Sequence, residues 1–261
     1  MVLSEQHQIP LIGFLLQPTV LPSKQYPAIA RIRADTDAES SHKIHQTLKL
    51  LLEQNPIDQT SALNSIRNRR GLKPMHFNSY QVIADQNVPV VVPINQHAFG
   101  GRPSDWHSNA KLTDFIFLRT GEVPNLSATF VRFIAEAKFS KEPLIVMAFS
   151  SMPVARTRIL ELALKLIDES VFSPRVIALV GNQNAVPIEA LNERVDALET
   201  RAKTYVKAGK LLVAPGAPFG KLFPQSDLII AHGGLGTTGE ALRAAKPCLT
   251  TGVLILDQRF W

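Results

Sequence analysis

The chain has 261 residues, 45% of them hydrophobic and 19% charged, with a formal net charge of +6 and a single cysteine, Cys248. This length suits about two domains with a substantial core, the composition excludes a disordered chain, one cysteine excludes an internal disulfide framework, and no apolar run approaches the roughly 18 residues of a bilayer span. The positive balance would suit a nucleotide diphosphate or an anionic membrane surface, and the scatter of its basic residues makes nucleic acid the weakest partner class.

Met1 to Gln8 is a polar stub without the basic-then-apolar layout of a secretion signal, which points to a cytosolic, reducing compartment. Ile9-Pro10-Leu11-Ile12-Gly13-Phe14-Leu15-Leu16, stopped by Pro18 and Pro22, predicts a buried parallel strand. Ser41 to Gln54 sets Ile44, Leu48, Leu51 and Leu52 on one helical face, and Ser61 to Arg70 predicts a second helix closed by Gly71. The cluster Arg67, Arg69, Arg70 and Lys73 reads as a solvated helix end in preference to a binding patch. Val88 to Pro93 predicts a short strand bordered by prolines. Gly, Pro, Asp, Trp and Ser dominate from Gly100 to Ser108, and an interdomain segment is expected from there to about Leu126.

The second half alternates regularly. Leu144 to Phe149 predicts a buried strand, with Ser151 as cap of a helix from Pro153 to Ser170. A strand at Arg175 to Gly181 follows, then a polar helix from Pro187 to Ala208 closed by Gly209. Strands at Leu211 to Ala214 and Asp227 to Ala231 come next, then a helix from Thr238 to Ala245, which Pro247 ends before a strand at Cys248 to Thr251. Such alternation predicts an α/β fold with a parallel sheet and right-handed crossovers, whose ligands lie outside the carboxyl ends of the strands.

His232-Gly233-Gly234-Leu235-Gly236-Thr237-Thr238 falls at such a strand end. Its glycines allow positive φ and close approach of a ligand, and the helix that follows offers free N–H groups and a dipole favouring an anion. A bound diphosphate is one reading. A tight strand-to-helix turn with Thr237 or Thr238 as N-cap is the other, and the loop alone does not separate them.

Its surroundings do. Leu222-Phe223-Pro224 before the loop, Ala241-Leu242-Arg243-Ala244 and Pro247 after it, and Asp257-Gln258-Arg259-Phe260-Trp261 at the end together resemble the donor-binding signature of UDP-glycosyltransferases, most closely the sterol glucosyltransferase branch. Weaker collinear agreement comes from Gly71-Leu72-Lys73-Pro74, Pro103-Ser104-Asp105-Trp106 and Phe149-Ser150-Ser151-Met152-Pro153. The resemblance implies a GT-B pair of Rossmann-like domains with parallel sheets, both incomplete. A partial acceptor-binding domain would cover residues 1–118, and a donor-binding domain lacking its end would cover 119–261. It further implies hexose transfer, glucose foremost, from a UDP-sugar to a sterol or other lipophilic hydroxyl with inversion. The UDP-sugar is then a substrate and no cofactor or metal is implied. Peripheral membrane contact is left open and nucleic acid is not a partner.

The resemblance also assigns roles. His232 would donate to the diphosphate as a positive or a hydrogen-bonding imidazole, and Gly234, Gly236, Thr237 and Thr238 would bring backbone and hydroxyl contacts, with Ser151 as a further hydroxyl. Glu240 would accept from ribose hydroxyls, and Asp257 and Gln258 would hold the sugar. Five departures weaken this: Ala231 for the first histidine of the usual pair, Phe219 for a polar residue, Ser150 for a glycine, Lys246 for a small or apolar residue, and a polar helix near Glu189 to Lys207 longer than the usual connection. No general base is assignable among His42, His45, His76, His97 and His107, since the family base comes from the start of the acceptor domain and the chain is expected to begin beyond it. It is also expected to stop before the donor domain is complete, with poor autonomous stability as the consequence. A non-catalytic UDP-sugar-binding chain is therefore the alternative reading, and a GT-B enzyme acting on a flavonoid, macrolide or glycolipid is a third.

Overall fold

The computed structural model describes residues 2–16, 18, 21, 23, 25, 59–75, 83–117, 124–149, 154–181 and 193–251. They belong to two compact units, one from Met1–Ile116 and the other from Phe117–Val253.

In the first unit the elements are α1 (Val2–His7), β1 (Gly13–Phe14), α2 (Gln59–Arg69), β2 (Val90–Val92), α3 (Gln96–Phe99) and β3 (Ala110–Leu112). The strands form a parallel sheet in the order β1-β2-β3. Val90 and Val92 on the middle strand are buried. The long buried strand expected over Ile9 to Leu16 contracts to two residues at the sheet edge, where Ile12 and Phe14 stay exposed. An edge strand has a partner on one side only, and Pro10 contributes no donor to a ladder.

The polar stub is instead the helix α1, and Arg67 is the reason. Its Nη1 and Nη2 donate to Glu5 Oε2 and Oε1 at 2.7 and 2.9 Å, and its Nε donates to the Lys73 carbonyl at 2.7 Å. Only 2% of Arg67 is exposed, so of the expected solvated cluster Arg69 and Arg70 face water while Arg67 is a buried two-point anchor. Beyond α3, the expected linker composition conceals β3. Trp106 is buried and stacks on Phe99 at 5.7 Å, and Arg102 ties the segment down by donating to the carbonyls of Trp106 and Ala110.

The second unit runs α4 (Ala128–Ser140), β4 (Leu144–Ala148), α5 (Arg156–Glu169), β5 (Arg175–Leu179), α6 (Glu193–Lys207), β6 (Leu211–Ala214), α7 (Phe219–Leu222) with a 3₁₀ turn at Phe223–Gln225, β7 (Leu228–Ala231), α8 (Leu235–Arg243) and β8 (Cys248–Thr250). All five strands are parallel, in the order β6-β5-β4-β7-β8. Successive side chains of β4 enter opposite cores. Leu144, Val146 and Ala148 pack with α4, the Phe223 turn and Ala241 of α8, while Ile145 and Met147 pack with Ile159, Leu160 and Leu164 of α5 and Ala202 of α6. A strand covered on both faces needs the continuous apolar run seen there.

The parallel α/β reading of the sequence is thus the observed architecture. Helix α4 was not anticipated, although Phe130, Phe133, Ile134 and Ala137 recur at helical spacing and are its buried face. Helix α5 begins at Arg156, not at Pro153, with Ala155 at its cap and no side-chain cap bond. The expected helix over Ser41 to Gln54 and the start of the one expected from Pro187 lie outside the described residues.

Replacing Arg67 with Met should lower stability by about 2–3 kcal/mol, since Glu5 and the Lys73 carbonyl lose a buried partner. Denaturant unfolding measures it, and an unchanged midpoint would mean the Arg67 anchor is not structural.

Candidate functional site

The chain winds outward from β4 through β5 to β6, crosses back to β7 and continues the other way to β8. The carboxyl ends of β4 and β7 therefore bound a topological switch point, where open parallel sheets place their ligands. Strand β4 leads there to Phe149, and β7 leads to His232 and the glycine loop.

The three loop glycines have separate reasons to be glycine. Gly233 has φ +82°, in the left-handed region. Gly234 is the N-cap of α8, and a Cβ built on it would lie 2.4 Å from Nε2 of His232, so the imidazole packs directly against the loop backbone. A Cβ on Gly236 would meet nothing within 4 Å. That position borders open space.

Helix α8 starts at Leu235, ahead of the Thr238 expected from capping preference. The Thr238 N–H donates to the Gly234 carbonyl at 2.9 Å and closes the first turn, so its amide is committed to the helix. The amides of Leu235, Gly236 and Thr237 precede that turn and find no acceptor within the helix, which leaves them for an anion on the helix axis. Neither threonine caps the helix by its side chain. Both are buried, and among the described residues Thr238 Oγ1 makes no hydrogen bond.

His232 is 6% exposed. Burial pushes its pKa below the ordinary histidine value, against a weaker opposing effect of a hydrogen bond to the Ala148 backbone. The ring is accordingly neutral near pH 7.

Glu240 lies further along α8, where Arg243 donates to its Oε2 from Nη2 at 2.6 Å and from Nε at 3.1 Å. The guanidinium also sits over the Phe117 ring, 4.9 Å from its centroid, and a Cβ on Gly220 would come within 2.5 Å of Nη2. In the sequence Arg243 stands out only as part of a motif, and Gly220 and Phe117 carry no signal of their own. The i,i+3 spacing of Glu240 and Arg243 was the available signal. Phe219, where a polar residue was expected, stacks on Phe223 at 4.6 Å and so belongs to the packing of α7.

Ser150, Ser151, Asp257 and Gln258 lie outside the described residues, as do His42, His45 and His76. His97 and His107 are exposed. Among the described residues no group of His, Cys, Asp and Glu could hold a metal ion, and no helix is long and apolar enough to cross a membrane.

No family model matches the chain. It is 27% identical over 181 residues to a sterol 3-beta-glucosyltransferase of Sclerotinia sclerotiorum, covering 69% of this chain and 11% of that protein. It is 26% identical over 201 residues to the O-mycaminosyltylonolide 6-deoxyallosyltransferase of Streptomyces fradiae, covering 76% of this chain and 40% of the relative. Among solved structures, a UDP-glucose:anthocyanidin 3-O-glucosyltransferase in complex with UDP superposes with a TM-score of 0.55 at 9% identity, over 99% of this chain and 56% of that one. The chain thus spans well under two thirds of the length of these proteins.

Two predictions follow from the loop. Gly234→Ala should lower the thermal midpoint because the new Cβ collides with a buried ring, whereas Gly236→Ala should leave it within about 1 °C, as expected for a change of at most a few tenths of a kcal/mol; equal effects would contradict the packing described. For His232 the folded pKa is depressed, so between that value and about 6.5 the unfolded chain binds the extra proton and stability rises with pH. Midpoints measured across that window should therefore climb with pH in the wild type and climb less in His232→Gln.

Proposed function

We propose that this chain, a homologue of glycosyltransferases with the GT-B fold, holds a UDP-sugar in its second unit and serves the transfer of a hexose, glucose foremost, to the hydroxyl of a sterol or other lipophilic acceptor. One observation carries this reading: at the switch point, the first-turn amides of α8, which have no acceptor within the helix, share a loop with a buried imidazole and with a buried hydroxyl that lacks a partner among the described residues. A buried hydroxyl without a partner is rare in a finished fold, and a diphosphate supplies Thr238 with an acceptor. The names of the relatives support a nucleotide-sugar donor, and that of the first supports the sterol acceptor.

In this reading Gly236, Thr237 and the hydroxyls of Thr238 and Ser151 hold the diphosphate, with Gly234 admitting the ligand close to the backbone. Glu240 takes the ribose, and Asp257 and Gln258 take the sugar. The acceptor oxygen attacks the anomeric carbon from the side opposite the diphosphate, the bond from that carbon to the diphosphate oxygen breaks, and UDP leaves with the electron pair. Inversion follows from this single displacement. The helix dipole and the oriented amides stabilise the negative charge that develops on the leaving group, in the manner of an oxyanion hole. The acceptor proton requires a base, and the exposure of His97 and His107 favours neither of them. A UDP-sugar-binding chain without transfer activity is therefore the second reading, distinguished by product formation with sterol and UDP-glucose.

Thr238→Val keeps the shape of the residue and removes only its hydroxyl. UDP affinity measured by calorimetry should fall about tenfold, the value of a hydrogen bond to a charged group, while the thermal midpoint holds or rises. Unchanged affinity would remove Thr238 from the diphosphate site.

A further inference from the structure

We infer that Arg243 is a positioning residue for the donor nucleotide: it clamps one carboxylate oxygen of Glu240 so that the other is presented to the ribose diol, and Gly220 is glycine because the guanidinium occupies the place of a side chain. The inference rests on the assignment of Glu240 to the ribose made above.

Both contacts from Arg243 fall on the same atom, Oε2 of Glu240. A carboxylate accepts on either oxygen, so fixing Oε2 orients the plane of the group and leaves Oε1 as the acceptor for a hydroxyl. An i,i+3 pair on a helix surface would normally be mobile and of little energetic consequence. This one is confined on three sides. Glu240 holds the edge of the guanidinium, the Phe117 ring lies beneath its face at 4.9 Å, and the Gly220 backbone closes the remaining side so tightly that a Cβ there would stand 2.5 Å from Nη2.

The geometry specifies arginine. A planar guanidinium stacks on a ring and donates from two nitrogens to one oxygen at once, whereas an ammonium does neither in this arrangement. Holding the carboxylate in one orientation before the ligand arrives removes part of the ordering cost of binding. The positive charge also offsets that of Glu240, which otherwise repels an anionic nucleotide. These two effects separate experimentally. Charge acts on any nucleoside diphosphate alike, while orientation of Oε1 matters only where a hydroxyl is there to donate.

Calorimetry of the full chain with UDP and with 2′-deoxy-UDP provides the test. The wild type should prefer UDP by about tenfold, as a hydrogen bond to a charged acceptor provides. Arg243→Gln should collapse that preference, Arg243→Lys should retain part of it, and Gly220→Ala should reproduce the loss by displacing the guanidinium. In a Glu240→Gln background, Arg243→Gln should cause no further change in the ratio. Equal weakening of both ligands by Arg243→Gln would reduce the residue to a charge and overturn the inference. If Glu240→Gln abolishes the preference while Arg243→Gln and Gly220→Ala keep it, the ribose assignment stands and the positioning role falls. An intact preference in Glu240→Gln overturns the ribose assignment and this inference with it.

Discussion

The His232 ring lies where a side chain on residue 234 would be, and this close approach decides where α8 begins. With Gly234 as the cap, Leu235 is the first helical residue, and the amide of Thr238 is the first to find an acceptor in the helix. The donors ahead of it are left at the carboxyl end of β7, beside β4. Had the helix begun at Thr238, the free amides would have lain a turn later, away from the strand end. A glycine-to-imidazole contact at one residue thus sets where the amino end of α8 meets the strand ends of a parallel sheet, the place proposed for an anion.

The loop stands on a rigid support. Val146 and Ala148 of β4 face one core and Met147 the other, and all three are essentially inaccessible. The opposite, amino-terminal edge of the sheet is stapled by polar contacts. Asp227 Oδ2 accepts from the Leu144 N–H and the Asp227 N–H donates to the Leu144 carbonyl, both at 2.8 Å, so the starts of β7 and β4 are locked together. Arg175 ties Glu136, Glu142 and the Gly209 carbonyl, over the face of Phe133. Polar satisfaction at one edge fixes strand register, so the order of the other edge does not depend on a partner for the Thr238 hydroxyl.

Most strands of the second unit were legible because buried parallel strands are nearly pure apolar runs, and β4, β6 and β7 stand out between polar segments. The glycine loop was legible as a strand-to-helix turn for the same reason its details were not. Gly233, Gly234 and Gly236 are the same letter, yet one answers to a dihedral angle, one to a neighbouring ring and one to open space. Only the first of these is a local property. The capping preference of threonine pointed to Thr237 or Thr238 as the helix start, and tertiary packing overrode it by burying both. Arg67 was misjudged on similar grounds, since its partner Glu5 is remote in sequence and a local charge cluster looks solvated whichever way its members turn. In the first unit, two- and three-residue strands carry too few positions for periodicity to speak, which is why β3 disappeared into a stretch of turn-forming composition.

The formal charge of +6 says little about how an anion would be held here. Arg67, Arg175, Lys210, Arg156 and Arg243 all engage carboxylates within the fold. At the switch point the groups described are amides, a hydroxyl and an imidazole kept neutral by burial. Groups of this kind would attract an anion with fixed dipoles, whose direction matters as much as their number, and among the described residues they include no buried cation needing compensation. On the ribose role proposed for Glu240, Arg243 would act on that carboxylate and through it on an uncharged diol. The chemistry of the ligand would then be divided along α8, with charge met by backbone at its amino end and hydroxyls met by a clamped side chain further along.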